Sequence, residues 1–209
     1  MILIAGASGA GKSTVAKELE AMNYSIIPTY TTRKPRPNDD GTICISDSEF
    51  ERMSVSNSFM SYHVFGSMMG KVAYGIPIEE YQHNPNKSVI VLAKEYLDDI
   101  KHYVANYAED EIFLVYIDVN DDTIIRTSMG DSGRGLSNTD LQARLVRDRD
   151  KNESLKKLAN LVIENNDFRL LPYEVAAIIS SFYEEFIEDS FDNKWQHQIR
   201  ISDNKKEEI

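Results

Sequence analysis

The apolar positions of this chain fall into short runs separated by stretches of helical spacing. The runs are Ile2-Leu3-Ile4, Ser25-Ile26-Ile27, Val89-Ile90-Val91-Leu92, Ile112 to Ile117 and Leu161-Val162-Ile163. Runs this short, with little polar alternation, read as strands buried on both faces, the pattern of a parallel sheet. Between them the spacing predicts helices over 13–22, 94–105, 120–128, 138–158 and 173–188. Asn120 and Asn138 suit N-caps, and Pro172 suits the first turn of the last helix. The pattern predicts an α/β fold with a five-stranded parallel sheet flanked by helices.

Two segments break this rhythm. Residues 29–87 lie between the second and third strands, far longer than the roughly 2–6 residues of an ordinary βα connection. They carry a Pro/Arg-rich loop, a predicted helix near 47–56 and a hairpin pairing 59–65 with 71–77, and so read as an inserted lobe on a core of 1–28 and 88–188. The second segment, about 128–137, holds three glycines with Arg134 near its tip, a composition suited to a lid. From about residue 189 the apolar periodicity stops, and the end reads as a polar tail in which Trp195 and Ile199 are the apolar candidates for docking.

Composition narrows the function. The chain has 209 residues, 42% hydrophobic and 27% charged, which suits one domain with inserts and a sizeable core. Its 34 acidic against 23 basic side chains give a net charge of −11, which disfavours nucleic acid as a partner. A single cysteine, Cys44, fits a reducing compartment. No stretch nears the ~18 apolar residues of a membrane span. A soluble, cytoplasmic monomer or homodimer with no membrane partner is the expectation. The four histidines show no metal-ligand spacing.

The chemistry begins at Gly6-Ala7-Ser8-Gly9-Ala10-Gly11-Lys12-Ser13-Thr14, which follows the first strand and opens the first helix. It matches G-x-x-x-x-G-K-[ST] in the strand–turn–helix context that the motif requires. Its glycines let consecutive N–H groups converge on a phosphate at the positive end of a helix. Lys12 would reach the β- and γ-phosphates of ATP, and the Ser13 hydroxyl would ligate Mg²⁺. After the second strand comes Thr31-Thr32-Arg33-Lys34-Pro35-Arg36, with two arginines around a stiffening proline, a fork for one phosphate group. Arg144 and Arg147 share a helical face near the lid, where a catalytic role and a salt-bridged surface are equally open.

At these motifs the chain resembles the guanylate kinase family. The likeness runs through Gly6–Thr14 and Thr31–Gly41, then Ser58-Phe59, Tyr74-Gly75, Arg126, Leu141–Leu145 and Val162–Asp167. It implies a P-loop NTPase fold with an acceptor-binding lobe and a short lid. It also implies ATP and Mg²⁺, and transfer to a nucleoside monophosphate, GMP in the first instance. By the same resemblance Thr29, Arg33, Arg36, Ser61 and Tyr74 would face the acceptor. Arg126, Arg134 and Arg144 would meet the transferring phosphoryl group, and Asn165 or Asn166 would lie near the donor base.

The phosphate-handling positions match and the base-reading ones do not. Cys44 stands near the family's tyrosine, Ser61 at its guanine-reading glutamate and Ile76 at its Ser/Thr after Tyr-Gly. Leu92-Ala93-Lys94 replaces its D-x-D. Each lost polar partner weakens selection of a guanine edge. This leaves open a kinase of another phosphorylated acceptor, or a binding module without catalysis.

Overall fold

The computed structural model describes residues 1–35, 41–67, 70–108, 110–130, 138–190 and 199–201. In chain order its first elements are β1 (Ile2–Gly6), α1 (Lys12–Ala21), β2 (Ser25–Ile26), β3 (Thr29–Thr31), β4 (Thr42–Cys44), α2 (Asp47–Val55), β5 (Phe59–Ser67), β6 (Gly70–Pro77) and α3 (Ile78–Gln82). Then follow β7 (Ser88–Val91), α4 (Leu97–Tyr107), β8 (Phe113–Asp118), α5 (Asp121–Gly130), α6 (Asn138–Leu158), β9 (Leu161–Glu164), α7 (Pro172–Ser190) and β10 (Ile199–Ile201).

The five predicted strands join in one parallel sheet, and β10 adds a sixth at its edge, in the order β10-β9-β8-β1-β7-β2. The unbroken apolar runs have a direct cause, since both faces are covered. Ile2, Ile4, Val115 and Ile117 face one layer with Val15, Leu19, Val175 and Ile179 of α1 and α7. Leu3, Ala5, Leu114 and Tyr116 face the other with Ile100 and Val104 of α4 and Leu155 of α6. Each fully buried Ile or Leu contributes about 1.5–3 kcal/mol, so the sheet is a rigid frame whose strand ends carry the loops.

Capping residues act as expected where they are described. Asn120 Oδ1 accepts from the Thr123 N–H at 2.8 Å to start α5, and Pro172 is the first residue of α7. The helix expected from 94 instead begins with a 3-10 turn at Lys94–Tyr96, and α4 proper starts at Leu97. The end of the chain also differs from a wholly polar tail. Ile201 packs against the core beside β9, while Trp195 lies outside the described residues.

Residues 29–82 form the second sheet, in the order β4-β3-β6-β5, with α2 and α3. Cross-strand pairs place Thr31 with Cys44 and Tyr74, Ser61 with Ile76, and His63 with Tyr74, so these side chains share one face. The opposite face is closed by α2, where Phe50 stacks on Phe59 at 4.7 Å beside Tyr30 and Met53. Gly75 makes this stack possible, because a Cβ there would stand 2.7 Å from the Phe59 ring. Ser46 starts α2 by accepting from the Glu49 N–H at 3.1 Å. The face not covered by α2 is thereby left to meet the 3-10 turn and α4. Among the described residues no helix is long and apolar enough to cross a membrane.

Candidate active site

The loop after β1 is shaped by its glycines. Gly6 has φ +149°, and a Cβ on it would lie 2.5 Å from the Ile117 carbonyl oxygen of β8, so only glycine lets β1 turn while paired. Gly11, at φ +82°, is the N-cap of α1 and puts no side chain in front of the first helical turn. Lys12 folds its ammonium back over the loop, donating to Gly6 O at 2.9 Å and Ala7 O at 2.7 Å. Ala10 N–H closes the turn on Ala7 O at 3.1 Å. Ser8, Ser13 and Thr14 are not buried, and Gly9 adopts φ +89°. The result is a helix N-terminus with a lysine charge beside it, the arrangement that attracts phosphate. An exposed Ser13 hydroxyl fits a Mg²⁺ that takes its other ligands from phosphate and water, and no His/Cys/Asp/Glu cage is present among the described residues.

The loop after β9 leans on this one. Asn165 is buried, and both ends of its amide bond the backbone of Leu170: Oδ1 accepts at 2.8 Å and Nδ2 donates at 3.1 Å. Its amide therefore shapes the loop beside Gly11. Asn166 Oδ1 accepts from Asn120 N–H at 2.8 Å. Sequence reasoning missed Phe168, which lies 3.8 Å from where a Cβ on Gly11 would stand. Asp167 and Phe168 have φ +56° and +50°, a strained state for a bulky residue that the surrounding bonds must impose.

On the lobe, Thr31 is buried and donates to Ala73 O at 2.8 Å, while Thr32 Oγ1 accepts from Ala73 N–H at 3.0 Å. These bonds tie the start of the arginine loop to β6. Arg33 N–H donates to Thr31 Oγ1 at 3.3 Å, and Arg33 Nη1 donates to Lys34 O at 3.0 Å. Tyr74 is half-buried on the uncovered face. A cleft of about 520 Å³ opens between α1 and the lobe, lined by Ser13, Lys17, Thr29, Thr42, Glu80 and Val91. A larger cavity, about 650 Å³ under the N-terminal ends of β7 and β8, is lined by residues such as Tyr24, Lys87 and Tyr183. It holds none of the predicted residues, so volume alone does not mark the site.

The base-reading positions are filled. Ser61 and Ile76, paired across β5 and β6, are only 3% and 1% exposed, and Ile76 packs with Ile90, Leu92 and Tyr96. Leu92, at the expected acid, is itself core. Missed by sequence reasoning, Asp99 of α4 comes to this wall, its Oδ2 accepting from Ser61 Oγ at 2.7 Å, with His63 alongside. No local pattern announces a contact across 38 residues. Burial, with Glu95 and Tyr74 nearby, holds the Tyr96 hydroxyl above the ordinary tyrosine range, so it stays protonated.

The backbone puts Arg126 on α5 and Arg144 on α6. Their side chains and that of Arg147, with Arg36, Arg134 and most of the expected lid, lie outside the described residues. Asp118, at the end of β8, pairs with Lys156 and so ties α6 to the sheet.

No protein-family model matches the chain. A guanylate kinase from Thermobifida fusca (strain YX) is 30% identical over 122 residues, which span 56% of this chain and 59% of that protein. The match thus covers less than two thirds of the relative. The crystal structure of guanylate kinase from Anaplasma phagocytophilum superposes with a TM-score of 0.57 at 16% identity, covering 89% of this chain and 85% of that one. With its parallel sheet and its phosphate loop, the chain has the P-loop NTPase fold, and part of it is similar in sequence to a guanylate kinase.

Proposed function

We propose that this chain is a nucleoside monophosphate kinase, moving the γ-phosphoryl group of ATP to a phosphate oxygen of a small acceptor. One observation carries the reading. Ser13 of the phosphate loop and Thr29 of the lobe line the same cleft, so donor and acceptor elements open onto one space. Lys12, bonded to the carbonyls of Gly6 and Ala7, keeps its charge at the phosphate loop. Arg33, with Arg36, would grip the acceptor phosphate, and Arg126, Arg134 and Arg144 would neutralise charge on the transferred group. Mg²⁺, held through Ser13, would supply charge neutralisation between the β- and γ-phosphates. An ionised phosphate oxygen needs no general base, so positioning and electrostatics suffice.

Transfer from ATP to GMP, giving ADP and GDP, is the first candidate reaction. A second reading, a kinase of a different phosphorylated acceptor, is favoured by the burial of Ser61 and Ile76 where a guanine edge would need polar groups. A coupled assay with ATP, Mg²⁺ and a panel of monophosphates decides. Turnover of at least one supports the kinase reading, and the best substrate chooses between the two acceptors. No turnover of any, with ATP still bound, would leave a binding module in its place.

A further inference from the structure

We infer that the cavity at the far end of the sheet from the phosphate loop is a second ligand site, and that its ligand is a small organic cation with a flat apolar body. The strands of the large sheet run parallel, so the phosphate loop sits at their C-terminal ends, after β1. The cavity, about 650 Å³, lies instead at the N-terminal ends of β7 and β8. It is larger than the cleft beside the phosphate loop and falls in the roughly 300–1,000 Å³ range of small-molecule sites. One wall comes from Val104 and Ala105 of α4, and another from Tyr183 and Ile187 of α7. Tyr24 adds a second ring, centred 6.1 Å from that of Tyr183, and both tyrosines are buried.

The polar groups of this cavity are satisfied at depth and open at the mouth, and that division defines the ligand. Tyr183 Oη donates to Asn86 O at 2.8 Å, and Tyr24 Oη shares a hydrogen bond with Ser180 Oγ at 3.0 Å. Burial holds both hydroxyls above the ordinary tyrosine range, so neither adds charge. The Asp110 side chain is 2% exposed, with Oδ1 taken by the Met1 amine at 3.0 Å and Oδ2 by the Tyr81 hydroxyl at 3.0 Å. A ligand body therefore meets rings and aliphatic carbon, the setting of a flat apolar group. At the mouth the balance is different. Glu111, Glu184 and Glu188 are exposed, line the same cavity, and form no ion pair among the described residues. Against them stands one lysine, Lys87, whose ammonium lies 5.7 Å from the centre of the Tyr24 ring, so a cation of the chain already rests on an aromatic face here. Three carboxylates against one ammonium leave the mouth negative, which selects a cation over a neutral or anionic molecule of the same shape. Sugars and phosphates find no open polar partner at depth and meet unfavourable charge at the mouth.

The test is calorimetric titration of the full chain with three indoles of one shape and different charge: tryptamine, tryptophol and indole-3-propionate. Tryptamine should bind with a Kd below about 1 mM, within reach of a ligand of its size. It should bind about fivefold or more tighter than tryptophol, a gap that narrows as salt rises. Indole-3-propionate should bind more weakly than either. Ala105→Phe fills the cavity from an exposed position of α4 and should weaken tryptamine and tryptophol alike by about 10-fold or more. Glu184→Gln combined with Glu188→Gln should bring the tryptamine preference below about twofold and leave tryptophol unchanged. Should Ala105→Phe not fold, as circular dichroism would show, the glutamate pair still decides, because it removes surface charge and leaves the packing alone. No tryptamine binding in the millimolar range, equal affinity for the three indoles, or a tryptamine preference that survives loss of both glutamates would overturn the inference. Sedimentation of parent and Ala105→Phe closes the remaining route: a parent dimer that the variant turns into a monomer would give the cavity to a second copy, and overturn it too.

Discussion

Gly6→Ala should be among the most damaging single-methyl additions in the chain. The new Cβ would stand 2.5 Å from the Ile117 carbonyl oxygen, inside the 3.0 Å that real Cβ atoms respect. That oxygen belongs to β8, paired to β1 from Ile2 to Gly6, so it moves only if the central sheet opens. Two costs combine. Holding alanine at φ +149° takes about 1–3 kcal/mol of backbone strain, and crowding a packed site takes about 1–3 kcal/mol more. Gly11→Ala is the control, because at φ +82° its Cβ would meet only Phe168, at an ordinary 3.8 Å. It should carry the left-handed cost alone, about 1–2 kcal/mol. Urea unfolding of both variants gives the difference directly. Thermal melts should follow at roughly 2–4 °C per kcal/mol for a chain of this size. Gly6→Ala as stable as Gly11→Ala would refute the close approach of the loop to β8 and the site geometry built on it.

Lys12→Ala should abolish phosphoryl transfer with little change in melting temperature, since its two bonds are to loop carbonyls at the surface of the site; turnover within a few-fold of the parent would remove Lys12 from the mechanism. Arg33→Ala should weaken the acceptor by roughly 10- to 100-fold, the equivalent of ~1.5–3 kcal/mol for a charge-assisted contact, and ATP far less; equal losses in separate titrations would place Arg33 elsewhere. Asn165→Ala strips two partly buried hydrogen bonds from the Leu170 backbone and should cost about 2 kcal/mol in urea unfolding. Parental stability in that variant would show that the loop beside Gly11 needs no such support.

What was legible in the sequence is what neighbouring residues decide among themselves. The apolar runs, the glycines that admit positive φ, the Asn120 cap and the Pro172 start are local, and each stands where the pattern put it. The five strands are legible because burial on both faces erases polar alternation over several residues. β10 was not, since three residues around Arg200 carry no such run and form a strand only by lying along β9. The 3-10 turn at Lys94–Tyr96 hid in a helical pattern because both structures use similar side-chain spacing over one turn. The structural part of Asn165 was hidden for a related reason: an exposed amide and one bonded to the Leu170 backbone look the same in one dimension.

The two halves of the site differ in how they are encoded. Phosphate is bound by backbone N–H groups and a helix end, so its site travels as one contiguous motif and survives divergence intact. A base is read by single side chains brought together from distant segments, and these can be exchanged one at a time. Ser61 alone reads as a lost carboxylate. Set 2.7 Å from Asp99, it becomes the hydroxyl that holds one supplied from α4. Restoring glutamate at position 61 would then place a second carboxylate beside Asp99 in a site where Ser61 is buried, and like charges there repel strongly. A single substitution at position 61 therefore meets a wall that already holds a carboxylate from the core helix, and Asp99 has to change with it before a glutamate on the lobe strand is tolerated.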